Sequence, residues 1–493
     1  MMTTTATEIV STPDDRSGEH DRVLPGEIDA SCRWTVLALF VGALFWLVAA
    51  SGLQALSSVK LLMPGLLAPW EFLTYGRLEG AVSCGLVFGF AIPALMALLT
   101  WIQCRLGGQS LAGSLGFWIF GSMWNLGVLG SVLGILAGDG SGLAWFELPL
   151  YGAAPMAAAY IVGAGVLLLN VKLRAVREMH VSQWFLLLAV IWFGWAFTVA
   201  VLLNQTLSSG LVHLLVGYWF KQQMFFMTLL PGALAVVFYV LPKVAEAPVR
   251  PRSLVLFAFW TFVFIGPWGG IPQSAPLPAW MVSVGVVAST LVLVPILATI
   301  LTVYETLGGN CGSLRKTSEG SLVMGSVLAL ALFAVMNWVR NWSGVAGVVE
   351  LSVFSKGMSL LLVLGVCGLG VLGGIHHVVP KLTHSQWLQP SWARIHGTAS
   401  ILSVAAVVAG LILAGMFQGL QSNKLGSTAS EIAGAARPML ALSALGCLSY
   451  FLAQSALFGA VLWQSALACR ACCVPCLVDW AKDQRVEKAE VGR

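Results

Sequence analysis

Long apolar runs broken by short polar segments recur along this chain. A helix that crosses a bilayer needs about 20 mostly apolar residues. Twelve runs meet that need: 34–56, 81–102, 111–138, 148–171, 182–204, 213–241, 254–271, 279–303, 321–342, 355–379, 397–417 and 437–467. The pattern predicts an all-α integral membrane protein with a twelve-helix transmembrane domain over 34–467. Residues 1–33 are polar and mixed in charge, with no mark of a cleaved signal, and are read as a disordered tail. Residues 468–493 form a Cys-rich, charged C-terminal tail.

Composition agrees. Hydrophobic residues make up 58% and charged residues 10%, with a mean hydropathy of +0.87. A soluble domain carries about 25% charged residues, so this chain has too little charge to cover a water-exposed surface. The 20 Trp and 53 Gly suit a membrane bundle, because Trp anchors at interfaces and Gly lets helices approach. The formal charge of +5 reports topology rather than nucleic-acid binding. Nineteen Lys and Arg fall on the side of the N-terminus and six on the other, with Lys221 inside a helix. The positive-inside rule then places both termini of this multi-pass chain in the cytoplasm. The lipid bilayer is the first expected partner.

Five segments carry a family resemblance. Glu71-Phe-Leu-Thr-Tyr-Gly-Arg-Leu78 precedes the second helix, and His180-Val-Ser-Gln-Trp184 opens the fifth. Leu241-Pro-Lys-Val-Ala-Glu-Ala-Pro248 follows the sixth. Gly266-Pro267 and Leu277-Pro-Ala-Trp280 frame the next turn, and Val379-Pro-Lys-Leu382 closes the tenth helix. In this order they resemble subunit I of the C-family (cbb-type) haem-copper oxidases. The resemblance implies a twelve-helix bundle, haem b and copper as cofactors, and electron transfer to oxygen as the activity. It also implies proton pumping and other respiratory subunits, such as a cytochrome c subunit, as partners.

The residues that the resemblance assigns to ligation are replaced. Where the family holds a low-spin haem histidine, this chain has Val82; the copper histidine of the sixth helix falls near Lys221 or Gln222. The histidine pair after Gly266-Pro267 becomes Trp268 and Gly269, and the redox tyrosine becomes Phe262. The His-x-His that binds both haems falls at Met358 and Leu360. Haem iron and copper take neutral imidazole in such sites, so no haem or copper is expected here. Trp268, Phe262 and Met358 are expected to fill the vacated volume, since empty space destabilises a core.

The chain's seven histidines show no i, i+4 pair of a helical metal site. His376 and His377 are adjacent, so they point about 100° apart and read as interface residues near Pro380. His396 reads as a polar helix-end residue, and His213 as lying near the opposite face. His20, His180 and His384 fall in tails or loops. Lys221 stands out, because an ionisable group in a spanning helix faces the bundle interior or a cavity. It is expected to point toward the old copper–haem space in a polar network with Gln222, Gln223, Tyr218 and Thr228. Cys469, Cys472, Cys473 and Cys476 are weak metal candidates, with lipidation or interfacial burial the alternatives.

Three readings stay open. One is a degenerate, non-catalytic relative kept as a subunit or scaffold of a respiratory complex. The second is a haem-dependent oxidoreductase with non-standard ligands. The third is a proton or ion conduit that uses Lys221.

Overall fold

The computed structural model describes residues 23–206, 210–308, 311–387 and 389–491, and the described residues contain no strand. Twelve apolar helices follow one another: α1 (Pro25–Leu62), α2 (Tyr75–Gly107), α3 (Ser114–Ala137), α4 (Leu150–Lys172), α5 (Val181–Thr206) and α6 (Gly210–Ala245). Then come α7 (Arg252–Trp268), α8 (Ala279–Leu307), α9 (Ser318–Arg340), α10 (Phe354–Thr383), α11 (Pro390–Ser422) and α12 (Ala429–Val491). Eleven are long and apolar enough to cross a membrane, and α7 is the shorter one. It still connects the two ends of the bundle. Arg252 at its start donates to the Met179 carbonyl at 3.2 Å, beside the entry to α5. Gln273, just past its end, donates to the Asn341 carbonyl at 2.7 Å, beyond the exit of α9.

The loops sort into two groups. At one end Val23 N donates to the Gly108 carbonyl (3.1 Å) and Ala175 N to the Gly107 carbonyl (2.9 Å). Gln183 reaches Gln103 there (3.0 Å). At the other end Arg77 bonds the Leu136 carbonyl (3.2 Å), His213 lies 3.2 Å from the Ser141 carbonyl, and Lys356 meets Tyr75 (3.4 Å). The expected tail after residue 467 has a helical backbone, continuous with α12 to Val491.

Helices α2, α6 and α10 are buried all round, while the others keep a lipid-facing side. These three are also the irregular ones. Each has a π-helical stretch: Gly85–Ala91, Gln223–Leu229 and Leu361–Gly368. Pro93 and Pro231 follow the first two closely. Proline lacks an N–H and clashes with the carbonyl four residues back, and a widened turn relieves both. Such bulges recur at functional sites.

Glycine allows a close helix contact between α11 and α12. A Cβ on Gly410 would lie 2.6 Å from Ser443 N and 2.7 Å from the Met439 carbonyl oxygen, both backbone atoms that cannot swing aside. Gly434 has nothing within 4 Å. Gly410→Leu is therefore expected to lower the melting temperature in detergent, with overpacking costing about 1–3 kcal/mol. Gly434→Leu should leave it unchanged.

Candidate functional site

The three enclosed helices carry the positions singled out in the sequence. Val82 lies on α2, Lys221 and Gln222 on α6, and Met358 and Leu360 on α10. Val82, Gln222, Met358 and Leu360 are buried, and all five residues meet around two cavities. The larger, about 260 Å³, is lined by Val82, Lys221 and Leu360 with Gln54, Glu79, Glu147 and Lys356. The smaller, about 60 Å³, shares Lys221 and adds Gln222, Met358, Tyr218, Arg340 and Asn337.

Lys221 thus turns inward as expected, with its Nζ 5.7 Å from the Phe225 ring centre. The expected polar network around it forms only in part. Tyr218 shares the smaller cavity, but both glutamines are committed to the last turn of α7. Gln222 Nε2 donates to the Gly266 carbonyl (2.7 Å) and Gln223 Nε2 to that of Pro267 (3.0 Å). Trp192 Nε1 donates to Gln223 Oε1 (3.0 Å). Thr228 bonds the Gln223 carbonyl within its own helix (3.4 Å).

Trp268 is a correction. It does not fill the old metal space: its side chain is 63% exposed. The turn Gly266–Trp268 is pinned by its carbonyls to Gln222 and Gln223, which leaves the indole pointing away. Gly269 lies against the polar side chains instead, since a Cβ there would sit 2.8 Å from Ser289 Oγ and 2.9 Å from Gln222 Nε2. Phe262 and Met358 are buried as expected, yet open volume remains.

An acid–base cluster in the larger cavity was missed from the sequence. Lys356 Nζ pairs with Glu79 Oε1 at 2.7 Å. The Ser57 hydroxyl donates to the same oxygen. Glu147, in the loop before α4, packs its carboxylate against Gly80, where any Cβ would collide with it. Burial, followed by the nearby Glu79 carboxylate, pushes Glu147 up to about 7. The signal was available: Glu79 directly follows the Gly-Arg-Leu landmark, and Lys356 opens an apolar run. Ionisable groups in such runs seek a cavity or a partner.

No histidine lines either cavity. His376 and His396, read separately above, are buried and joined, with Nε2 of one 3.0 Å from Nδ1 of the other. Twenty residues apart on the consecutive helices α10 and α11, they lie beyond any local spacing rule. His377 Nε2 lies 2.6 Å from Lys381 Nζ, and His180 Nδ1 lies 3.1 Å from Ser182 Oγ. His20 falls outside the described residues. Among the described residues no three His, Cys, Asp or Glu cluster to hold a metal. Cys469 is exposed; the side chains of Cys472, Cys473 and Cys476 lie outside the described residues.

Residues 35–448 match the family model described as cytochrome c and quinol oxidase polypeptide I. The chain belongs to that family. A cytochrome c oxidase subunit 1 homologue from Agrobacterium tumefaciens is 24% identical over 467 residues, covering 90% of this chain and 83% of that one. One from Azorhizobium caulinodans is 23% identical over 414 residues, covering 80% and 75%. A cbb3-type cytochrome c oxidase subunit from Stutzerimonas stutzeri is 23% identical over 400 residues, covering 76% and 81%. A solved heme-copper terminal oxidase dimer superposes with a TM-score of 0.73 at 13% identity, over 88% of this chain and 84% of that one. At that identity the superposition shows the fold.

Within this oxidase subunit I family member, the donor set around the cavities is poor for haem iron or copper. Val82 and Leu360 are hydrocarbon, and an ammonium at 221 repels a cation. Met358 supplies one thioether, a single soft donor. These residues do not fit a bis-ligated haem or a copper centre.

Two outcomes follow. Glu147 binds protons more tightly folded than unfolded. Its contribution is full below the unfolded carboxyl value and is lost as pH rises through about 7. Melting curves from pH 4 to 8 should show this loss, and Glu147→Gln should remove that share of the pH dependence. Among the described residues the ion pairs are Arg105–Asp29 and Lys356–Glu79, so Lys221 belongs to neither. Lys221→Met is then expected to fold with an unchanged or higher melting temperature. A drop of several degrees would show that the ammonium holds the site together.

Proposed function

We propose that this protein is a non-catalytic member of the oxidase subunit I family that binds neither haem b nor copper. It serves as an integral subunit or scaffold of a respiratory complex in the bacterial cytoplasmic membrane, with both termini in the cytoplasm. Its partners are other respiratory membrane subunits, such as one carrying cytochrome c. The observation that carries this reading is the lining of the two central cavities. Where the family resemblance calls for imidazole, the lining has Val82, Lys221, Gln222, Met358 and Leu360. The charge asymmetry between the two ends supports the orientation.

The test is a pyridine haemochrome assay with copper analysis by mass spectrometry on the purified chain. Less than one haem per ten chains and no stoichiometric copper are expected. One haem per chain, with a Soret band that responds to dithionite, would replace this reading with an oxidoreductase that uses non-standard ligands.

A further inference from the structure

Two cations inside the bundle have no counter-ion. Lys221 on α6 and Arg340, the last residue of α9, together line the smaller cavity. Among the described residues neither has a carboxylate oxygen within 4.0 Å, and neither donates a hydrogen bond. Tyr218 lies three residues before Lys221, so the two share a face of α6. It lines the same cavity, and its hydroxyl also bonds no described residue. Ammonium and guanidinium groups donate hydrogen bonds and accept none. One small space is thus bordered by three idle donors, two of them charged.

The carboxylates nearby are held elsewhere. Glu350, in the segment between α9 and α10, accepts from Gln273 N (2.7 Å) and Ser274 N (2.9 Å). It fixes the α7–α8 loop instead of meeting Arg340. Glu79 is taken by Lys356 and Ser57, and Glu147 pairs with neither cation. Deeper in, Phe226 and Phe333 close the cavity, with ring centres 5.6 Å apart. Hydrocarbon on that side lowers the local dielectric, so like charges repel more strongly there than in water. Water satisfies donors but carries no charge, and an uncompensated buried charge is strongly destabilising.

We infer that the smaller cavity binds one small monovalent anion, a halide or a short carboxylate such as formate, between Lys221 and Arg340. Tyr218 adds a neutral donor, and no metal takes part in holding the ion. Size and charge set the class. The cavity measures about 60 Å³ and one water needs about 10–15 Å³, which limits the ligand to about four heavy atoms. Glu79 and Glu147 line the adjoining larger cavity and repel further negative charge. The ion enters at the bundle end where α9 stops and α10 starts, and the Phe226–Phe333 pair halts it there. The site holds an ion and does not pass it across the bundle. This rests on the reading that no haem occupies the space, and it adds a ligand that a scaffold role does not itself require.

Equilibrium dialysis of the purified full chain against chloride-36, in detergent and sodium gluconate buffer, tests this. Saturable binding of one chloride per chain is expected, displaced by formate but not by the larger citrate. Lys221→Met and Arg340→Gln should each weaken binding by about tenfold or more, the scale of one charged hydrogen bond. Melting in gluconate shows that each variant is folded. Lys424→Gln, at an exposed lysine bonded to Gln421, should bind as the wild type does. Folded Lys221→Met protein with wild-type chloride affinity overturns the site. If that variant does not fold, Arg340→Gln decides in the same way. The same sample is assayed for haem. A haem-free chain with no saturable chloride binding overturns this inference alone, whereas one haem per chain overturns the scaffold reading and this site with it.

Discussion

Lipid supplies no hydrogen bonds, and that constraint governs where this chain can be irregular or charged. Nine helices present a side to lipid and wall off α2, α6 and α10. Among the described residues, only behind that wall does the backbone loosen into π-turns. Only there, or at helix ends, do Glu79, Lys221 and Lys356 find room. An unsatisfied backbone group costs several kcal/mol in hydrocarbon, so an exposed π-bulge or a lipid-facing lysine would be selected against. The wall makes a site possible; it does not decide what fills it.

What fills it is a set of polar and charged side chains. On the reading proposed above, replacing imidazole leaves volume and an unbalanced interior. This chain closes part of the volume with Phe262 and Met358. It balances charge with the Glu79–Lys356 pair and ties Gln222 and Gln223 to the Gly266 and Pro267 carbonyls. The rest stays open as two polar cavities around Lys221. Buried polar groups that are satisfied fix one arrangement of the helices.

Much of the fold was legible because a spanning helix needs only length and hydrophobicity, and all twelve runs are helical in the structure. The seventh was legible as a segment but not as a short one, because Gly266-Pro267 ends the helix before the apolar run ends. The inward turn of Lys221 followed from the cost of an ammonium in lipid. Trp268 was misplaced because register along the chain says nothing about which way a residue points once a glycine–proline turn intervenes. The His376–His396 contact was invisible for a different reason. Adjacent histidines on one helix drew attention, whereas the actual partner sits on the next helix. Glu147 lies in a loop, and only the fold brings its carboxylate to Gly80 and near Glu79.

The central claim is that polar side chains, not a macrocycle, occupy the space between α2, α6 and α10. A cryo-electron microscopy map of the purified complex, at a resolution that shows side chains, tests it most directly. Density for Lys221, Glu79 and Lys356 around water-filled cavities, with Trp268 on the outer surface, is the expected result. A flat, iron-centred density between Val82 and Leu360 would contradict the account.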